Sequence, residues 1–317
     1  MEKIGIGNTD LQVSRINLGG NVFGWTLDEK QSFSILDAFI DKGGNFIDTA
    51  DVYSAWVLGN SGGESETIIG KWLKTKSKSD DIIVATKVGW DFGDGKRKGL
   101  SPSYIRSAVE DSLKRLQIDR IDLYYTHVDS EEIPVEEYLG VYADLIREGK
   151  IAHIAASNVP ADRLKKSLEL GKSGQYPLYQ ALQPHYNLVE REKYEHQYAH
   201  IAKDFNLTVF PYWSLAAGFL TGKYRSESDL NKSQRGESVR QYLNVKGLAI
   251  LKQLDELSEK HHTTPAAVAI AWLLHRPQIG GTIASATNEK QLNTLIEASG
   301  LRLDKGDMEV LDTVSQY

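Results

Sequence analysis

The chain has 317 residues, 41% of them hydrophobic and 25% charged, and a formal net charge of −6. That composition describes a globular protein with a large core and excludes disordered and collagen-like classes, while the acidic balance disfavours nucleic acid and anionic membrane surfaces as partners. No cysteine is present, which removes disulfides, thiolate nucleophiles, Cys-bound zinc and iron–sulfur clusters. The N-terminus lacks an apolar signal core, and the apolar run at 266–274 falls well short of the roughly twenty residues a membrane span needs. A cytoplasmic protein without a membrane partner is expected.

In chain order, a hairpin is predicted around Asn8-Thr9-Asp10, then a strand at 15–18 and a helix at 28–42 with Asp28 as its cap. A strand at 45–48 leads to a helix near 65–74, and a strand at 82–87 to a helix opened by Ser101-Pro102. The pattern continues with a strand at 120–127, a helix at 134–147, a strand at 151–157 and a helix from about 160. After these come a strand at 178–183, a helix at 191–205, a strand at 208–213 and helices at 247–260 and 265–275. An eighth strand at 280–284, a helix at 289–299 and a closing helix at 305–317 complete the chain. Eight strand–helix units without a break in composition predict one α/β domain over 1–317, a (β/α)8 TIM barrel with an N-terminal β-hairpin and extra C-terminal helices. The polar segments 54–64, 89–100 and 221–240 each follow a strand and are expected to be loops at the barrel mouth.

A barrel of this kind places its chemistry at the C-terminal strand ends, and the residues there are polar. Asp48, Lys87 and His127 each end a strand, and Tyr53 follows Asp48 closely. A lysine at the mouth of an apolar face needs a counter-ion, which Asp48 supplies from the neighbouring strand, with Asp51 as its competitor. A phenol is a poor acid at neutral pH unless a cation favours its ionised form, and Lys87 beside Tyr53 would be that cation. His127 would orient a substrate oxygen, so the group could protonate a developing alkoxide.

The string GGNFIDTADVY, the strand end Ala85-Thr86-Lys87, the run DLYYTHVD and the strand end Ala156-Ser157-Asn158 together resemble the aldo-keto reductase superfamily. The resemblance covers essentially the whole chain. It implies a barrel that reduces aldehydes and ketones with NADP(H), through a catalytic tetrad falling here on Asp48, Tyr53, Lys87 and His127. Tyr53 would be the general acid, Lys87 would lower its pKa while Asp48 holds Lys87, and His127 would position the carbonyl.

The same resemblance implies that Ser157, Asn158 and Gln183 bond the nicotinamide carboxamide and that Tyr212 stacks on the ring. The segment from Ser214 and Leu215 to Tyr224 would run along the pyrophosphate, with Gly218 and Lys223 facing it. Ser285, Asn288 and Gln291 would lie at the adenosine end. No Lys or Arg stands near Ser285 or at position 291 to clamp a 2′-phosphate, although Lys290 is close, so NADP is expected with NAD left open. The partner is then a small aldehyde or ketone, and neither its identity nor the oligomeric state is legible.

Other motifs fail on their spacing. His196 and His200 stand four apart without an adjacent Glu, the run Gly218 to Lys223 is one residue short of a phosphate loop, and no Rossmann fingerprint occurs. No metal site is expected. Two alternative readings stand: a cofactor-binding channel β-subunit, which the same superfamily contains, and a barrel lyase or isomerase using Lys87.

Overall fold

The computed structural model describes residues 1–76 and 81–317. An antiparallel hairpin, β1 (Lys3–Gly5) and β2 (Gln12–Ser14), precedes eight parallel strands. These are β3 (Ile16–Gly19), β4 (Phe46–Asp48), β5 (Ile83–Val88), β6 (Ile121–Thr126), β7 (Ile151–Ser157), β8 (Tyr179–Gln183), β9 (Thr208–Val209) and β10 (Thr282–Ala284). They pair in chain order, β10 returns to β3, and the seam between β9 and β10 is bridged by Val209 and Ile279. The barrel is thus nearly closed, as expected, with a helix following each strand.

The helices are α1 (Glu29–Asp41), α2 (Glu64–Leu73), α3 (Pro102–Leu116), α4 (Val135–Arg147), α5 (Ala161–Lys172), α6 (Ala199–Asp204), α7 (Gly236–Val239), α8 (Val245–Lys260), α9 (Pro265–Leu274), α10 (Glu289–Gly300) and α11 (Lys305–Val314). Their starts follow side-chain chemistry. Asp28 and Gln31 close a reciprocal capping box on α1, while Ser101-Pro102 and Thr264-Pro265 open α3 and α9. Every residue from Ala266 to Leu274 is buried, as a helix that is apolar all round must be. None of the helices among the described residues is long and apolar enough to cross a membrane.

Four elements differ from their predicted form. The strand expected at 208–213 is only β9 long, because Pro211 has no N–H for the ladder and Trp213 takes a φ of 54°. The helix expected at 191–205 contains a π-helical segment, Tyr194–Tyr198, before α6. The closing helix ends at Val314, short of the chain end, and the expected loop at 221–240 is organised into short turns and α7.

The barrel interior decides where the site lies. Phe46, Ala85, Tyr125, Ala155, Ala181, Phe210 and Ile283 pack together inside it, and Ile6, Leu11 and Val13 of the hairpin region close its N-terminal end. Strand side chains repeat every two residues, so the next inward layer toward the C-terminal end is Asp48, Lys87, His127, Ser157, Gln183, Tyr212 and Ser285. An apolar floor beneath a polar top layer is therefore written into each strand.

Candidate active site

Lys87 is fully buried, and its ammonium donates to Asp48 Oδ2 at 2.6 Å, to the carbonyl of Thr49 at 2.6 Å and to the Tyr53 hydroxyl at 3.1 Å. Gln183 Nε2 donates to the other Asp48 oxygen at 2.9 Å. The carboxylate is thus held on both sides, and Asp48 rather than Asp51 is the lysine's partner. Burial works against the charge of Lys87, but Asp48 and Tyr53 outweigh it and hold the ammonium above the ordinary lysine range.

Tyr53 departs from expectation in sign. Burial pushes its phenol above the usual value of about 10, Lys87 pulls it down and Asp48 pushes it up again. The expected lowering by Lys87 is present as a force but does not win, because burial outweighs it and Asp48 adds to the upward side. Tyr53 therefore keeps its proton through neutral pH. His127 is buried, and burial together with Lys87 keeps its imidazole well below the ordinary range, so the ring is neutral; its Nδ1 has no partner among the described residues.

Three tryptophans surround this group. Trp56 meets Tyr53 edge-on at 6.1 Å, Trp25 meets Trp56 at 5.7 Å, and Trp90 lies 5.0 Å from His127. Trp56 and Trp90 are about half exposed, which gives the mouth an open apolar wall. Phe23, in the same region, is fully buried core.

The expected cofactor residues divide into two groups. Ser157, Asn158, Gln183 and Tyr212 form one connected shelf: Ser157 Oγ donates to the Gln183 carbonyl, Asn158 Nδ2 to Ser157 Oγ and to the His127 carbonyl, and Tyr212 to Asn158 Oδ1. Ser214, in contrast, uses its hydroxyl on Thr282 and on the Pro211 and Ile283 carbonyls, so its side chain fastens the β9–β10 seam and only its backbone is left for a ligand. Leu215 accepts from Gly218 N, where a φ of 97° turns the chain in a way that favours glycine. Lys223 is exposed, and no carboxylate pairs with it among the described residues.

At the far end Ser285 donates to Asn21, Asn288 caps α10 through Gln291 N, and Gln291 accepts from both the backbone N and the hydroxyl of Thr287. Arg235 escaped the sequence reading, since it lies in the irregular stretch after β9 with no motif around it. Its guanidinium sits 5.1 Å over the Trp25 ring, its Nη2 is buried without a partner, and no carboxylate pairs with it among the described residues.

A second buried acidic group stands behind the tetrad. Glu66 is fully buried and accepts from Thr86 Oγ1 at 2.5 Å and from Arg115 Nε at 2.7 Å. Asp51 is also buried, and neither carboxyl oxygen has a hydrogen bond among the described residues. Burial and then Glu66 raise its pKa well above the carboxylate range, with Arg115 opposing. The folded state consequently holds a proton that the unfolded chain releases at about pH 4, so stability falls as pH rises through that window. Asp51→Asn is expected to remove this slope, gaining on the wild type by up to about 1.4 kcal/mol per pH unit as pH rises above about 4. Urea unfolding at several pH values reads it, and parallel curves would refute the buried protonated acid.

Residues 15–316 match the aldo/keto reductase family. Aldo-keto reductase YhdN of Bacillus subtilis (strain 168) is 34% identical over 99% of this chain and 93% of its own length. The NADH-specific methylglyoxal reductase of Escherichia coli (strain K12) is 30% identical over 100% and 99%. A probable voltage-gated potassium channel subunit beta of Arabidopsis thaliana is 28% identical over 94% and 91%. The chain belongs to the aldo/keto reductase family, whose members use nicotinamide cofactors.

Proposed function

We propose that this protein, acting as one barrel domain over 1–317, reduces the carbonyl of a small aldehyde or ketone to an alcohol, with NADP(H) as hydride donor and Tyr53 as general acid. The observation that carries the reading is the fully buried Lys87 ammonium, bonded at once to Asp48 and to the phenol oxygen of Tyr53. Tyr53 arrives protonated and gives its proton to the developing alkoxide. Lys87 then neutralises the phenolate left behind, which offsets the cost of ionising a buried phenol. Neutral His127 offers the substrate oxygen one hydrogen bond without adding charge. Asp48 and Gln183 keep Lys87 in place.

The residues present fit a nicotinamide dinucleotide, which when bound would supply the hydride. Arg235 has a buried, orphaned guanidinium nitrogen, and Lys223 shares with it the neighbourhood of Tyr224. Two cations without carboxylate partners among the described residues fit the phosphates of such a ligand. Ser157, Asn158 and Gln183 would hold the carboxamide, and Tyr212 would carry the ring on its face. Gly218 and the backbone at Ser214 and Leu215 would run along the pyrophosphate, and Ser285, Asn288 and Gln291 would meet the adenosine end.

NADP is proposed over NAD, and the E. coli relative named for NADH makes the comparison necessary. Titration with NADPH and NADH, followed by tryptophan quenching, is expected to show tighter NADPH binding. Tighter NADH binding would overturn the cofactor preference, and binding of neither would overturn the reductase reading. The oxidoreductase relatives favour reduction over lyase or isomerase chemistry, while the channel-subunit relative keeps a cofactor-binding module as the competitor. Turnover of a small aldehyde, beginning with methylglyoxal, separates a reductase from such a module.

A further inference from the structure

Behind the expected nicotinamide platform the strand ends carry a second ring. His185 lies two residues past Gln183 and pairs with Tyr212 as a bridge that continues the β8–β9 ladder, where Tyr212 N donates to the Pro184 carbonyl at 3.0 Å. The two rings stack with centroids 5.3 Å apart and planes 14° apart. His185 is itself held: the Trp213 ring meets it edge-on at 5.3 Å, and Asn187 Nδ2 lies 3.4 Å from its Nε2 while donating to the Trp213 carbonyl at 2.9 Å. Tyr212 is pinned at its other end by Asn158. One of its faces is therefore covered by a fixed imidazole, and the half-buried ring keeps accessible surface besides.

We infer that His185 is the backing ring of the nicotinamide platform: neutral, it fixes the plane of Tyr212, and protonated, it biases the bound cofactor toward its reduced form. This rests on the reductase reading above, in which Tyr212 carries the nicotinamide on its other face. The oxidised ring is a cation and the reduced ring is neutral. A positive charge stacked behind Tyr212 repels the first and leaves the second untouched, across a half-buried gap where screening is weak.

The charged groups that act on His185 are Glu190, which favours its protonation, and Lys193, which opposes it. Both come from the segment after β8. The β9 side presents the uncharged rings of Tyr212 and Trp213. Burial outweighs the charges and keeps the imidazole below the ordinary histidine range, so the neutral ring is the working form near neutral pH. His185 is thus a positioning residue acting through Tyr212.

The test titrates NADPH and NADP+ into the full-length wild type, His185→Phe and His185→Ala at about pH 8 and about pH 5.5. The ratio of the two affinities is the readout, because the 2′-phosphate titrates in both forms and cancels. Phe keeps a backing ring without a charge; Ala removes both. At the higher pH His185→Phe is expected to bind like the wild type and His185→Ala roughly fivefold more weakly. On acidification the wild type, whose imidazole is only partly charged at about pH 5.5, is expected to lose roughly two- to threefold in NADP+ affinity relative to NADPH, and His185→Phe none. An equal shift in the wild type and His185→Phe, or a His185→Ala protein that binds as the wild type does at both pH values, overturns the inference alone. A wild type that binds neither dinucleotide overturns the proposed function and this inference with it.

Discussion

Tyr53→Phe is expected to bind nicotinamide cofactor as the wild type does and to lose between about 10²- and 10⁴-fold of its aldehyde reduction rate, the usual worth of a positioned proton donor. The substitution removes one oxygen and keeps the ring, so the edge contacts with Trp56 and His127 persist. Lys87 keeps Asp48 and the Thr49 carbonyl, which leaves its ammonium paired. The loss should fall on kcat, because the proton moves only in the transition state. Steady-state rates with several aldehydes, beside a fluorescence titration of cofactor, separate the two effects. A rate within threefold of wild type would remove Tyr53 from the proposed role. The electrostatics add a pH signature: with the phenol above its ordinary range and His127 below its own, neither group titrates between about pH 7 and 9, and the wild-type reduction rate should be flat there.

Much of this site was legible because strand periodicity carries it. Reading two residues past Phe46, Ala85 and Tyr125 lands on Asp48, Lys87 and His127, and that step needs only the alternation of the chain. The shelf of Ser157, Asn158, Gln183 and Tyr212 was reached through resemblance at the later strand ends, and the structure brings those four residues together, Gln183 through its carbonyl. What escaped lies where no period operates. Arg235 joins the site from an irregular stretch by resting on Trp25, some two hundred residues earlier, and only tertiary packing makes that contact. The balance of forces on Tyr53 was misread for a similar reason. The sign of its shift depends on how far Asp48 neutralises Lys87 and how deeply the ring is buried, and neither is written in a motif. Likewise Ser214 matched a cofactor pattern, but its hydroxyl is consumed by a seam that exists only once β10 returns to β3.

Arg115→Met is expected to destabilise the fold by about 3 to 5 kcal/mol, the range found when a buried ion pair loses one partner. Glu66 has no exposure and, among the described residues, takes its one positive contact from Arg115 Nε, while Asp51 adds a second acid beside it. Packing fixes this arrangement: α2 and α3 approach so closely that a Cβ at Gly70 would stand 2.1 Å from the Arg115 carbonyl, leaving the helices no space to relax around an unpaired carboxylate. The damage should be local in origin and felt at the tetrad, since Thr86, which donates to Glu66, adjoins Lys87 in β5. Pairing the change with Glu66→Gln removes the stranded charge, and the double variant should recover more than half of the loss in a double-mutant cycle. Denaturant unfolding measures each corner of the cycle. A single variant within about 1 kcal/mol of wild type would mean that Glu66 needs no cation beside it. Strict additivity of the two substitutions would mean that the pair does not interact.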